Sequence, residues 1–121
     1  MKRDMDLVRL ILLKLNENEH GFAPKDFEIT GFSEEAVGYH CLLLNEAGLI
    51  QAVENTNQLS PSPIALPLRL TWEGHEFIDN AQNTQVWSQT REAVSKLDDV
   101  SFSVWGNVLT HFVMLNLGLS S

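Results

Sequence analysis

Between Asp4 and Asn16 the apolar residues Met5, Val8, Ile11, Leu12 and Leu15 recur at intervals of three and four, which places them on one face of a helix. Asp4 and Asp6 fall in its first turn, where a carboxylate meets the positive end of the helix dipole. A turn cluster around Gly21 and Pro24 follows, and Phe27 to Ile29 alternates apolar and acidic residues as a short strand does. Ser33 has the character of an N-cap, with Glu34 and Glu35 behind it. It opens a second helix that runs to about Ala47 and stops at Gly48. Val37, Cys41, Leu44 and Ala47 form the inward stripe of that helix, and Glu35, Tyr39, Leu42, Asn45 and Glu46 fall on the other side.

Leu49 to Val53 and Leu66 to Leu70 suit strands. The separator Glu54 to Ala65 is rich in Asn, Gln, Ser and Pro and predicts a long, mobile hairpin loop. Thr71 caps a third helix through about Ala81, Thr84 caps a fourth over Gln85 to Leu97, and Ser101 starts the last, Phe102 to Leu117. The last helix places Trp105, Val108, Leu109, Phe112 and Leu115 on one stripe, with Val104, Val113, Met114 and Leu117 beside it. That face is too wide for a solvated surface helix and predicts a homodimer built on it. The order of elements predicts an α+β, mostly helical fold: a winged helix with a β-hairpin wing over residues 1–81, and additional C-terminal helices over 82–121. The helical extension is expected to pack on the first part or to form the dimer interface, the whole being one structural domain.

The 121 residues suffice for one buried core without metal or disulfide support. Cys41 is the single cysteine, so no internal disulfide exists, and its apolar neighbours predict a buried thiol. The opening Met1-Lys2-Arg3-Asp4 lacks the apolar run of a secretory signal, and no apolar stretch is long enough to span a membrane, so a cytoplasmic location is expected. Charge changes the picture most. Sixteen acids face eight bases for a net charge of -8, and Lys2, Arg3, Arg9, Lys14 and Lys25 hold most of the positive charge. From Asp26 to Leu68 there are six acids and no lysine or arginine. A surface built from that stretch repels polyanions.

No motif demands chemistry. His75-Glu76 with Asp79 imitates a zinc-protease spacing, but the second ligand position carries Asp and no third ligand is marked. His40 and Cys41 are adjacent and point about 100° apart on a helix, which suits a buried pair better than two ligands of one metal. His20 and His111 stand alone, and no Gly-rich phosphate loop or nucleophile with a neighbouring base occurs. The residues therefore predict no enzyme, no catalytic residue, no cofactor and no metal.

Val37 to Ile50, ending in Ala47-Gly48-Leu49-Ile50, resembles the recognition helix and wing entry of bacterial winged-helix repressors of the arsenic-sensor type. Leu42 and Asn45 stand where those repressors carry polar and basic groove-facing residues, and Lys25 to Phe32 looks too short for their preceding helix. The chain as a whole resembles the YjcQ-like proteins, winged-helix families of unassigned role common in bacteria, phages and prophages. Met1 to Arg9, Tyr39-His40 with Ala47 to Ile50, Leu70 to Asp79, and Trp87 carry that likeness. The resemblance implies fold and origin and no activity.

Together these readings predict a non-enzymatic regulatory or interaction module acting by protein contact, in a phage or prophage setting, with no membrane. Glu35, Tyr39, Leu42, Asn45, Glu46, Asn55, Asn57 and Gln58 form the expected interaction face, and Trp105, Val108, Leu109, Phe112 and Leu115 the expected dimer helix. Two alternatives stand beside it. One is a dimeric DNA-binding transcriptional regulator, with Tyr39, Leu42 and Asn45 near the major groove and wing residues Asn55 to Gln58 near the backbone. The other is a phage-encoded inhibitor that occupies the nucleic-acid site of a host protein.

Overall fold

The computed structural model describes residues 1–119. Among them lie five helices and one two-stranded antiparallel hairpin, in the order α1 (Met5–Glu17), α2 (Glu34–Glu46), β1 (Ile50–Glu54), β2 (Ala65–Leu70), α3 (Trp72–Ala81), α4 (Thr84–Val94) and α5 (Phe102–Asn116). The class is α+β, as the periodicity predicts. No helix among the described residues is long and apolar enough to cross a membrane. The chain divides into two compact units, Met1–Ile78 and Asp79–Ser121, with the division falling inside α3.

In the first unit α1 buries Leu7, Val8, Ile11, Leu12 and Leu15. Asp4 caps it, its carboxylate accepting the Asp6 and Leu7 amides and so filling two of the orphan donors of a helix start. Helix α2 packs on α1 and on both strands, and buries Val37, His40, Cys41 and Leu44. Ser33 caps it as expected, accepting the Ala36 amide at 3.1 Å. The expected strand at Phe27 to Ile29 does not form; residues 18–33 run irregularly, with Ile29 buried and no ladder of backbone bonds along them. Two ties to neighbouring elements help to hold this segment. The Lys14 ammonium donates to the Glu28 carbonyl and lies 5.3 Å from the centre of the Phe27 ring, and the Ala23 amide donates to the Leu68 carbonyl at 2.8 Å.

That second bond explains an irregularity in the hairpin. Gln51 pairs with Arg69 but Ala52 pairs with Pro67, so Leu68 is an extra residue on β2. Such a bulge turns a backbone group away from the ladder, and here the Leu68 carbonyl serves Ala23. Pro67 has no amide hydrogen to lose and suits an edge position beside a bulge. The loop 55–64 is also more ordered by bonding than its composition suggests: the Asn55 amide donates to Ile64 O, Thr56 Oγ1 accepts the Ile64 amide, and Asn57 and Ser60 close a small turn.

Helix α3 begins where Thr71 Oγ1 accepts the Gly74 amide and donates to Gly48 O, while the Thr71 amide donates to Leu49 O. Gly74 is required by proximity: a Cβ there would lie 2.0 Å from the Leu49 carbonyl oxygen.

The second unit is an α4–α5 hairpin. Asn83 rather than Thr84 caps α4, accepting the Val86 amide at 3.0 Å, and the helix ends at Val94, three residues short of the expected Leu97. Trp87 and Trp105 stack at 4.9 Å between centroids with a 31° tilt, and both are buried. Thr90 is fully buried with its hydroxyl returned to Val86 O. At the far end the Asn116 amide donates to Gln89 Oε1 at 2.8 Å.

Gly74→Ala is expected to destabilise the protein by about 1–3 kcal/mol in urea unfolding, since forcing a methyl into a backbone carbonyl outweighs the roughly 1 kcal/mol that alanine gains in a helix interior. An unchanged or raised midpoint would contradict the close approach of α3 to Leu49.

Candidate interaction surface

The expected face is set by α2. Glu35, Tyr39, Leu42 and Glu46 share one side of this helix, Glu46 exposed and the other three half-buried, so Tyr39 and Leu42 present less surface than their pattern predicts. Tyr39 meets the His40 ring edge-on at 6.0 Å. Asn45 is exposed, but its side-chain oxygen accepts the Ala52 amide at 2.9 Å and ties the end of α2 to β1 next to the bulge. Asn57 is committed in the same way, its side-chain oxygen accepting the Leu59 amide. Asn55 and Gln58 are exposed in the loop. Two joints connect the α2 part of the face to the hairpin part: the Asn45–Ala52 bond, and the approach of Ile64 to Gly38, where a Cβ on Gly38 would stand 2.8 Å from Ile64 Cβ and Cγ2.

His40 has a structural position that spacing does not reveal. It is 1% exposed, and its Nε2 faces the Asp4 backbone amide at 2.8 Å while Nδ1 faces Ala36 O at 2.8 Å. A backbone amide can only donate, so Nε2 must be the acceptor and Nδ1 must carry the proton. The neutral ring thus bridges the start of α1 to the second turn of α2. The same bond holds the backbone that follows Lys2 and Arg3 against α2.

Two other cations of the first unit are engaged elsewhere. Lys14 is held at Glu28 and Phe27, and Arg69 donates to Gln51 Oε1 and to Leu70 O. Lys2, Arg9 and Arg91 hold further partners of their own. Against them the surface sets Glu34, Glu35 and Glu46 on α2 and Glu54 at the end of β1, with exposed apolar Val53, Leu59 and Leu66 on the hairpin. Val53 and Leu66 are register partners, and both are slightly more than half exposed. They form an apolar pair on the solvent side of the sheet.

The histidines read as possible ligands stay apart in role. His75, His20 and His111 are exposed, and no three His, Cys, Asp or Glu side chains among the described residues gather in a metal-ligating group. The dimer stripe is divided. Trp105 and Leu109 are buried inside the second unit, Val108 and Phe112 are half-buried, and Leu115 is exposed together with Val104, Met114 and Leu117.

Comparison with known proteins gives a family. The family described as "Hypothetical protein (DUF2513)" matches residues 2–101. A Haemophilus influenzae protein titled "Uncharacterized protein" is 43% identical over 105 residues, covering 84% of this chain and 86% of that protein. No solved structure matches the chain. The chain belongs to the DUF2513 family.

Cys41 is fully buried, and desolvation pushes its thiol from 9.0 up to about 12. The folded state therefore favours the neutral thiol. The stability this contributes is complete below the unfolded value and is lost as pH rises from 9.0 toward the folded value. The stability advantage of the native chain over Cys41→Ala, read from urea melts, should accordingly shrink above pH 9.0. Iodoacetamide should label Cys41 slowly in the folded chain and quickly once the chain is unfolded; rapid labelling of the folded state would place the thiol at the surface.

Proposed function

We propose that this member of the DUF2513 family is a winged-helix module, related to the YjcQ-like proteins, that works by protein contact and not by catalysis. The order α1, α2, β1, β2, α3 supports the fold reading, in which α2 would be the recognition helix and β1 with β2 the wing. The irregular residues 18–33 stand where the preceding helix of a helix-turn-helix would be.

One observation carries the functional reading, the sign and commitment of the α2–hairpin surface. Duplex DNA is gripped by cations that displace its counterions, and bases are read by free amide and guanidinium groups. This surface has four glutamates, and the side-chain oxygens of Asn45 and Asn57 are spent on its own backbone. Acidic groups around exposed Val53, Leu59 and Leu66 suit a protein partner with a basic surface, such as the nucleic-acid site of another protein. A second reading, contact with DNA, is favoured by the Asp4–His40 bond, which holds the backbone that follows Lys2 and Arg3 against α2. A two-fold axis would double that charge.

A homodimer is part of the proposal. Val104, Val108, His111 and Leu115 follow a four-three-four spacing along α5, a helix without a single Asp, Glu, Lys or Arg. That spacing is the seam of a helix pair.

Fluorescence anisotropy with mixed-sequence duplex DNA at low salt separates the two readings. Protein contact predicts no saturable binding below roughly 10 μM, within the range where non-specific DNA binders already associate. Tighter binding that weakens steeply with salt, and that is lost on Lys2→Ala with Arg3→Ala, would establish the DNA reading instead. Light scattering is expected to give twice the 13.6 kDa chain mass, reduced to one chain mass by Leu115→Asp. A monomer before substitution would remove the dimer.

A further inference from the structure

On the side of α2 away from Tyr39 and Glu46 lies a groove of about 560 Å³. Its walls come from three places within the first unit: α2, the root of the hairpin, and residues 23–28 with Phe32. The accessible lining is largely apolar, with Phe32, Ile64 and Leu66 at the surface and the buried Val37 and Cys41 of α2 beneath them. Its size falls in the range of small-molecule sites, which are mostly apolar with a few placed polar groups. The groove is also held open. Ile64 rests directly on Gly38, so the hairpin root bears on α2 at a contact with no slack, and the Ala23–Leu68 bond anchors the opposite wall to β2.

The chemistry of the walls restricts what can enter. Asp26, Glu28 and Glu34, all exposed, stand around the opening, with Lys25 as the single cation in the lining. Phe27 lines the groove, and its ring already accepts an ammonium, that of Lys14 at 5.3 Å. An extended peptide adding a strand to β2 is disfavoured at this point. Pro67 offers no amide hydrogen, and the Leu68 carbonyl is taken by Ala23. Recognition must therefore run through side chains and not through a backbone ladder.

We propose that this groove binds a small amphipathic cation, an alkyl or aryl ammonium whose apolar body lies on Phe32, Ile64 and Leu66 and whose charge lies among Asp26, Glu28 and Glu34. The site lies apart from the Glu35–Tyr39–Leu42–Glu46 side of α2, although Glu34, Asn55 and Leu66 belong to both surfaces, and it does not depend on the protein-contact reading. It shares α2 and the hairpin with that surface, so an occupied groove would brace the two elements that carry it.

The test uses the full chain labelled for amide NMR and three probes of equal chain length: octylammonium, octanol and octanoate. Octylammonium is expected to give saturable shifts confined to amides of residues 23–28, the first half of α2 and residues 64–68. Octanoate should bind at least about tenfold more weakly, because it meets like charge at the rim. The triple neutralisation Asp26→Asn, Glu28→Gln, Glu34→Gln changes only exposed side chains, and it should bring the affinities for octylammonium and octanoate to within about threefold while leaving the spectrum folded. Equal affinity for octylammonium and octanoate in the native chain, or shifts centred elsewhere, would overturn the proposal. So would the absence of saturable shifts with octylammonium; binding of a Lys-Leu-rich peptide at the same amides would then assign the groove to a protein partner.

Discussion

Helix α2 must satisfy α1, β1 and β2 at once, and the way it does so governs the first unit. Its inner stripe of Val37, Cys41 and Leu44 supplies the apolar burial, at the usual ~25 cal/mol per Å². Burial alone is non-directional and would allow the helix to rotate or slide. Three contacts fix it: His40 pinned between Asp4 and Ala36, Asn45 bonded to Ala52, and Gly38 seated under Ile64. Each links α2 to a different neighbour. The outward face of α2, and the groove along its side, are where they are because these three points leave no other orientation.

The same contacts decide the electrostatics. The sequence holds its cations near its start and its acids through the middle, and the fold could have interleaved them. It does so only in part. Lys14 is drawn to Glu28 and Phe27, Arg69 lies along the hairpin, and the tether at His40 holds the backbone that follows Lys2 and Arg3 against α2. The acids at Glu34 and Glu35 meanwhile serve the helix dipole of α2, a local use that needs no partner. What remains outward on α2 and β1 is negative charge beside apolar side chains, a combination suited to a basic protein surface or a hydrophobic cation and poorly suited to a phosphate backbone.

The second unit shows a division of labour within one helix. The stacked Trp87 and Trp105 bury the largest side chains of the α4–α5 hairpin, and Leu109 continues that contact line one turn on. This uses part of the wide apolar face of α5 inside its own unit. Val104, Met114 and Leu115 are left on the outside, a narrower stripe than the pattern alone suggests, yet still uncharged.

Much of the architecture was legible without coordinates, and for a common reason. The helices of α1, α2 and α5, the hairpin, and the starts at Ser33 and Ser101 all follow from local rules, a periodicity of three and four and a capping side chain, whereas Asp4, expected inside the first turn of α1, is its cap. The separation of cations and acids along the chain was likewise readable from residue order, though not their arrangement in space. What tertiary structure decided are matters between distant residues. Alternation at Phe27 to Ile29 imitates a strand, but the carbonyl freed by the bulge at Leu68 goes to Ala23, and no ladder forms along residues 27–29. Pro67 inside an apolar run was a usable sign of that irregularity. No local rule pairs Asp4 with His40 or Gly38 with Ile64, or commits Asn45 to Ala52, since each contact exists only once α2 has met its neighbours. The groove belongs to the same class: its walls come from three separated stretches, and a cavity has no sequence period.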